Sequence, residues 1–234
     1  YFIEHAPETI VRARRSAERE RSVGLGAMGL HAYFQKKGIP FDCAMAKALN
    51  KQIFAHIQKC CAAADARLCK IRGACPDAKA AGVERRFSHW IAVAPNASSS
   101  LICGNTSPSI EPRRANVYRQ DTISGAHIVK NRYLVEELER LHMNTDEVWA
   151  DIIAHDGSVQ HIEAIPRATR DVFKTAQELD QRWIIELAAD RQPYIDQGQS
   201  VNLFFAADVS IPYLHACHFL AWKKGLKSLY YCRS

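Results

Sequence analysis

The sequence predicts an α/β fold in which parallel strands share one sheet, as in a barrel or a doubly wound sheet. Two observations carry this prediction. The apolar run at 89–94 has the length and composition of a buried strand, and Pro95 ends it. Near the C-terminus, apolar runs at 201–205 and 226–231 flank a helical pattern capped by Ser210, which makes a β-α-β unit. The ends of these strands should therefore open toward one side of the sheet.

The remaining periodic segments predict helices. Apolar residues recur every three or four positions from 43 to 72, which indicates a long amphipathic helix ended by Gly73 and Pro76. Shorter helices are predicted at 131–141, from Thr145 onward and at 169–191. Residues 77–88 are polar and predict a loop, whereas residues 116–124 show no clear period and predict irregular or weakly stranded chain. The fold should be rich in helix.

Three glycines, Gly24, Gly26 and Gly29, spell G-x-G-x-x-G. A dinucleotide-binding turn needs an apolar strand before it and an acidic residue about 20 positions later. Here the preceding residues are charged, and Asp42 follows too soon. We therefore interpret the glycines as positions where a helix packs closely against a neighbour. A nicotinamide-dependent dehydrogenase is the alternative, and a cofactor titration should show no binding.

Composition excludes several classes of partner. The net charge of +6 is spread over the chain without a basic stripe of interleaved aromatic residues, so we expect no nucleic-acid partner. Every apolar run is shorter than the roughly 20 residues of a membrane span, so we expect no membrane partner. Eight scattered cysteines, without a C-x-x-C pair or a signal peptide, indicate a reduced, cytoplasmic protein. Two pairs leave a metal site open, although packing explains them more simply: Cys69 with Cys75, and His215 with His218.

The segment 95–112 has the side chains best suited to binding an anion. It is rich in small serine, asparagine and threonine residues, which would let a phosphate approach the backbone closely. Each charge-assisted hydrogen bond to a phosphate contributes roughly 1.5–3 kcal/mol. A phosphate-binding loop after the strand is therefore one interpretation. A serine-rich surface turn is the other, and composition alone does not choose between them.

Two adjacent tyrosines, Tyr230 and Tyr231, close the C-terminal unit. Neighbouring strand residues point to opposite faces, so the simplest expectation is one ring in the core and one at the surface. If the strand end is irregular, both phenols can lie together and near the serine-rich segment. A tyrosine can lose one electron together with its proton, so such a pair could transfer a radical.

Four blocks, in this order, closely resemble the large, catalytic subunit of class I ribonucleotide reductase. They are R-R-S-A-E-R-E-R-S-V-G-L-G-A-M-G-L-H within residues 14–38, A-P-N-A-S-S-S with G-N-T-S-P-S-I-E-P, Y-I-D-Q-G-Q-S-V-N at 194–202 and A-W-K-K-G-L-K-S-L-Y-Y at 221–231. The resemblance runs over nearly the whole chain. It implies that residues 1–234 are one incomplete domain, the C-terminal part of a ten-stranded α/β barrel, in an enzyme that reduces ribonucleoside diphosphates to deoxyribonucleotides by a radical mechanism.

The resemblance also implies roles for particular residues. The loop that binds the substrate diphosphate would consist of Pro95, Asn96, Ala97, Ser98 and Ser99. Tyr230 and Tyr231 would relay a radical from a small subunit that holds a di-metal radical cofactor. The expected partners are that subunit, the remainder of the large subunit, a second copy of the full large subunit, and thioredoxin or glutaredoxin as reductant. This segment itself should bind no metal or cofactor, and ATP and deoxynucleotide effectors should bind elsewhere.

Some features of the family are missing from these residues. Its thiyl-forming cysteine lies in an N-x-C-x-E pattern that does not occur here, so none of the eight cysteines is assigned that role, and Cys232 is taken as incidental. Gly198 replaces a common serine of the family's Y-I-D-Q-S-x-S-x-N.

We expect a piece of a longer polypeptide or a split-gene product that is inactive alone. The alternative is a non-catalytic binding or assembly module of a split reductase; a start codon near Tyr1 would favour it, and N-x-C-x-E upstream would favour the enzyme.

Overall fold

Helices dominate the structure, and the strands are few and short. The computed structural model describes residues 2–122 and 125–234. Its helices are α1 Phe2–His5, α2 Val11–Glu20, α3 Leu30–Lys36, α4 Ala44–Arg72, α5 Pro76–Ala80, α6 Ala97–Ile102, α7 Arg132–Arg140, α8 Asp146–Ala154, α9 Arg167–Val172, α10 Gln181–Arg191 and α11 Ile211–Lys223. Its strands are β1 Val117–Thr122, β2 Gly125–Lys130, β3 Leu203–Phe204 and β4 Cys232–Arg233. Two 3-10 turns are found at Glu8–Ile10 and Gln192–Tyr194.

Four extended segments lie side by side and run parallel. Leu25 forms a parallel bridge with Ile91, and Val93 forms another with Gln199. Further along the third segment, β3 pairs in parallel with β4. The spatial order is therefore 23–25, 89–93, 197–204 and 230–233, and these described segments do not close into a barrel. The predicted strand at 89–94 contributes the central bridges of this open arrangement.

The predicted β-α-β unit is confirmed, but the bounds of its second strand are wrong. Gly225 (φ 75°) ends α11, backbone pairing begins only at Tyr230, and the regular strand is β4 instead of 226–231. Before this strand, Lys227 Nζ donates to the backbone carbonyls of Asp196 (2.7 Å) and Gln197 (3.0 Å). Ser210 stands at the predicted cap of α11 but makes no capping hydrogen bond with its side chain.

The long helix α4 begins and ends as its sequence pattern predicts. Cys43 caps its start, with Sγ accepting from the backbone N–H of Ala46 at 3.4 Å, and Gly73 (φ 76°) ends it. Its buried face packs against α10, and the Asn50 side chain donates to the Leu187 carbonyl at 2.9 Å. This contact anchors the main hydrophobic core, which extends beneath the parallel segments.

The single helix predicted at 169–191 is wrong, since the chain forms two helices, α9 and α10. Between them the Thr175 N–H donates to the Glu178 carboxylate (2.7 Å), and the Ala176 N–H donates to the Arg113 carbonyl (2.8 Å). Asp180 then caps α10 by accepting from the Arg182 N–H at 3.0 Å. Because these bonds use backbone donors that a continuous helix would need, the helix is interrupted.

Two further predictions concern loops. The loop predicted at 77–88 is wrong in part, since it includes part of the short helix α5. For 116–124, predicted as irregular or weakly stranded, the stranded alternative is confirmed: β1 pairs with β2 as an antiparallel hairpin, in which Val117 lies opposite Lys130. Residues 123–124 of that prediction lie outside the described residues. The hairpin, α7 and α8 enclose a second, smaller core around Leu134, Trp149 and Ile152.

Two of the three glycines allow close packing, Gly26 between extended segments and Gly29 at the start of helix α3. A Cβ on Gly26 would lie 2.9 Å from the Ala92 carbonyl oxygen on the neighbouring segment. Gly29 precedes α3 with φ 83°, and a Cβ there would lie 2.6 Å from Thr106 Oγ1. Both contacts are shorter than side chains tolerate. Among the described residues, no helix combines the length and hydrophobicity of a membrane span.

Gly29→Ala should destabilise the protein more than Gly38→Ala. Both glycines have positive φ, but a Cβ on Gly38 would meet nothing within 4 Å. Left-handed backbone costs alanine about 1–2 kcal/mol at either site, and only Gly29 adds the clash with Thr106. We expect the free energy of unfolding, measured by urea denaturation of the complete polypeptide, to fall by about 1 kcal/mol more for Gly29→Ala. Equal losses would contradict the close contact.

Candidate functional site

The serine-rich segment forms the start of a helix instead of an irregular loop. Pro95 and Asn96 precede α6, and Ala97, Ser98 and Ser99 form its first turn. These last three residues are exposed. The first N–H groups of a helix have no partner within the helix, so this turn presents small side chains and free donors on one surface.

The chain after α6 folds back onto its beginning. The Ser109 N–H donates to Asn96 Oδ1 at 2.6 Å, and the Thr106 N–H donates to the Ser100 carbonyl at 3.1 Å. Ser107 is buried and holds the start of α3, accepting with Oγ from the Ala32 N–H at 3.0 Å. The segment is therefore a fixed structure built from local and tertiary hydrogen bonds. Because Ala97, Ser98 and Ser99 stay exposed, this arrangement is compatible with both interpretations of the segment.

A cavity of about 800 Å³ adjoins this segment. Of the five residues predicted to bind diphosphate, Ala97 and Ser98 line it. The other walls come from the segment after α6, the β1 strand, the end of α8 and the turn between α9 and α10, and include Arg113, Tyr118 and Glu178. The volume lies within the usual range for small-molecule sites.

The cavity wall contains a buried cation. Arg113 is 6% exposed, and its Nη2 donates to the Asn105 carbonyl at 2.9 Å, while its Nε has no hydrogen-bond partner among the described residues. Tyr118 donates to Asn105 Oδ1 at 2.7 Å, and burial raises the pKa of its phenol. Sequence reasoning missed Arg113, because an Arg-Arg pair after a proline resembles a solvated charge cluster.

A neutral histidine supports this arginine. The backbone N–H of Arg113 donates to Nδ1 of the fully buried His31 at 2.8 Å. Burial, and secondarily the Arg113 charge, lower the pKa of His31 to about 3, so its imidazole is uncharged near neutral pH. Burial also lowers the pKa of the Arg113 guanidinium, which nevertheless remains the cation of this wall.

A buried amide connects the segment after α6 with the tyrosine segment. Asn202 donates through Nδ2 to Glu111 Oε1 at 2.8 Å, and its Oδ1 accepts from the Tyr231 N–H at 3.0 Å. Burial raises the pKa of Glu111, although the Asn202 hydrogen bond and the charges of Arg233 and Arg114 oppose this shift. A polar residue between apolar neighbours, as in Val201-Asn-Leu203, was the available sequence signal for this contact.

The two tyrosines lie together at the irregular start of the last segment. Their ring centroids are 4.1 Å apart with a tilt of 52°, and each residue is 50% exposed. The Arg233 guanidinium lies 4.9 Å from the centroid of the Tyr231 ring. The hydrogen bond with Tyr231 raises the pKa of Tyr230. The expectation of one core ring and one surface ring is wrong, and the pairing of the two phenols at an irregular strand end is confirmed. Neither tyrosine lines the cavity beside Ala97 and Ser98, so their nearness to the serine-rich segment stays a prediction.

The cysteines and the paired histidines show no shared site. All eight cysteines are free thiols; Cys75 and Cys217 are buried, whereas Cys232 is exposed. His215 stacks on Phe219 with ring centroids 6.0 Å apart, and His218 Nδ1 lies 2.8 Å from the Leu214 carbonyl oxygen. These contacts agree with packing roles for both histidines.

Comparison with known families gives a direct assignment. The family model described as "Ribonucleotide reductase, barrel domain" matches residues 2–85 and 77–232 of this chain. The chain belongs to this ribonucleotide reductase family. The parallel segments of the fold are thus part of a reductase barrel domain.

Individual reductases support the same assignment. The chain is 48% identical to the ribonucleoside-diphosphate reductase large subunit of Invertebrate iridescent virus 3, over all of this chain and 37% of that protein. Identity to the large subunit of Invertebrate iridescent virus 6 is 49%, over all of this chain and 24% of that protein. Among solved structures, the Actinobacillus ureae class Id ribonucleotide reductase alpha subunit superposes with a TM-score of 0.91 at 37% identity, covering all of this chain and 43% of that one. The chain thus spans less than half the length of these reductases.

Glu111→Gln should stabilise the protein more at neutral than at acid pH. In the native state burial raises the pKa of Glu111, so the native state holds this proton more tightly than the unfolded state. The tighter binding of this proton stabilises the native state below the unfolded pKa. That stabilisation is lost as pH rises through the higher native pKa. Glutamine keeps the acceptor for Asn202 without a charge. Urea unfolding of both forms at about pH 4 and about pH 8 measures the effect, and a pH-independent difference would contradict it.

Proposed function

We propose that this chain is the C-terminal part of the catalytic subunit of a class I ribonucleoside-diphosphate reductase, which makes deoxyribonucleotides for DNA synthesis. The observation that carries the proposal is the buried Asn202 amide, which joins the segment after the proposed diphosphate loop to the tyrosine pair. In this role the chain supplies substrate binding and radical transfer. The catalytic cysteine belongs to the N-x-C-x-E pattern elsewhere in the subunit.

The diphosphate would bind at the first turn of α6. The small residues Ala97, Ser98 and Ser99 leave room for phosphate oxygens, and the free N–H groups of the turn are suitable donors. Pro95 and Asn96 set the direction in which the chain enters the helix, since Asn96 Oδ1 is fixed by the Ser109 N–H. The unpartnered Nε of Arg113 in the cavity wall offers a further positive charge.

The tyrosine pair would transfer a radical by moving one electron and one proton. If the radical starts on Tyr231, its phenoxyl oxygen takes a hydrogen atom from the Tyr230 hydroxyl, and Tyr230 becomes the radical. The reverse step uses the same atoms. Ring centroids 4.1 Å apart favour this exchange, and the half exposure of each ring leaves one side for a partner.

The partners follow from this role. A small subunit with a di-metal radical cofactor would generate the radical, and the remainder of the large subunit would complete a ten-stranded barrel. The open edges of the parallel segments favour such completion, because unpaired backbone groups on an edge strand seek partners. A dimer of the full subunit, thioredoxin or glutaredoxin as reductant, and ATP or deoxynucleotide effectors bound outside this segment complete the proposal.

A non-catalytic binding or assembly module of a split reductase is the second candidate. Such a module would keep the phosphate site and the subunit contacts without needing redox-active tyrosines. Phenylalanine substitutions at the tyrosine pair therefore distinguish the two candidates.

Tyr230→Phe or Tyr231→Phe should abolish turnover of the complete large subunit reconstituted with its small subunit. Phenylalanine keeps the ring packing but cannot carry a phenoxyl radical, so nucleoside diphosphate affinity should change less than about twofold. Tyr33→Phe, at another partly exposed tyrosine, serves as the control and should keep full turnover. Retained activity in either pair variant would rule out the relay.

Ala97→Leu should weaken binding of nucleoside diphosphate to the complete subunit. The larger side chain at the first turn of α6 would occupy the space of the phosphate oxygens, and loss of one or two charge-assisted hydrogen bonds corresponds to about tenfold or more in affinity. Ala81→Leu, at an exposed position after α5, is the matched control. Calorimetric titration compares the three proteins, and unchanged affinity of Ala97→Leu would contradict the loop assignment.

A further inference from the structure

One carboxylate and two imidazoles form a cluster outside the segments discussed above. His161 Nε2 lies 2.9 Å from Asp151 Oδ2, and His155 Nδ1 lies 3.2 Å from Asp151 Oδ1. The two imidazole rings stack with centroids 3.7 Å apart and a tilt of 25°. One ligand atom from each residue lies within 4.8 Å of the other two.

The local fold explains why these side chains meet. Asp151 lies on α8 and His155 is its C-terminal cap, so the spacing of four places both on one face. Gly157 (φ 80°) then reverses the chain, and a Cβ there would lie 2.6 Å from Ala115 Cβ. This tight turn returns the chain so that His161 faces the end of α8. The cluster is therefore held by backbone structure and not only by its own hydrogen bonds.

We propose, contrary to the expectation that this segment binds no metal, that Asp151, His155 and His161 bind one Zn²⁺ ion. Zinc binds imidazole nitrogen and carboxylate oxygen at about 2.0–2.2 Å, which places tetrahedral ligand atoms about 3.3 Å apart. The cluster needs to contract by about 1.5 Å at most to reach this geometry. Side-chain exposures of 46%, 49% and 30% leave room for this small shift, in which His155 Nδ1 would leave its 2.9 Å contact with the Asp151 carbonyl oxygen. Two imidazoles select zinc and similar transition metals over Mg²⁺ or Ca²⁺.

The position of the cluster gives such an ion a further property. Three protein ligands leave one coordination position of a tetrahedral zinc open to water or another ligand. His155 and its neighbour Asp156 line the 800 Å³ cavity that Ala97 and Arg113 also line. A zinc ion here lies at the border of that cavity, where its open position can take an anionic oxygen. This inference uses only the cluster and the cavity, and does not depend on the proposed reductase activity.

Metal titration of the complete polypeptide, freed of metal by a chelator, tests the site. Co²⁺ can take the place of zinc, and its absorption bands in the visible range depend on its ligands. At this site the bands should appear without the thiolate charge-transfer absorption that cysteine ligands cause. Zn²⁺ should compete for the same site. His161→Ala should weaken binding there at least tenfold, because even outer-shell changes at metal sites cost about 10–100-fold. His127→Ala, an exposed histidine on β2, is the matched control and should change nothing. Equal zinc affinity in wild type and His161→Ala would overturn the proposal.

Histidine labelling of the unaltered protein provides a test that needs no variant. Diethyl pyrocarbonate modifies accessible imidazoles, and the modified positions are read by mass spectrometry. Added Zn²⁺ should protect His155 and His161 while His127 remains reactive. Without such protection, the cluster is a hydrogen-bonded surface group and not a metal site.

Discussion

The buried side chain of Asn202 is the contact on which the organisation of this chain depends. One end of its amide binds the Glu111 carboxyl, and the other binds the backbone of Tyr231. A buried amide must satisfy both its donor and its acceptor, so it fixes both neighbours at once. Through it, two blocks more than a hundred residues apart in the sequence become parts of one region. The parallel pairing of β3 with β4 completes this connection.

The same region concentrates polar groups that burial makes costly. His31, Glu111 and Arg113 are all buried, and burial shifts each pKa toward the uncharged form. A core built for stability alone would replace such groups by apolar ones. Arg113 lines the cavity, and among the described residues neither its Nε nor His31 Nε2 has a hydrogen-bond partner, which is typical of a binding site.

The two hydrophobic cores support different elements of this site. The larger core carries the parallel segments and the long helix α4, and so positions the tyrosine pair and the start of α6. The smaller core beneath the hairpin supports α8, whose C-terminal cap His155 also lines the cavity. The cavity is therefore lined by residues from elements of both cores. Residues from both sides can act on one ligand there.

The sequence by itself determined what depends on local periodicity and on recognisable blocks: the long helix α4 and its glycine end, the β-α-β unit, and membership of the reductase family. Tertiary structure alone decided the break between α9 and α10, because Ala176 bonds to the distant Arg113 carbonyl and so leaves the helical path. It also decided that the rings of Tyr230 and Tyr231 meet, since regular strand alternation would have separated them. The burial of Arg113 beside the cavity and the return of His161 to Asp151 likewise depend on contacts between segments, for which no local pattern exists.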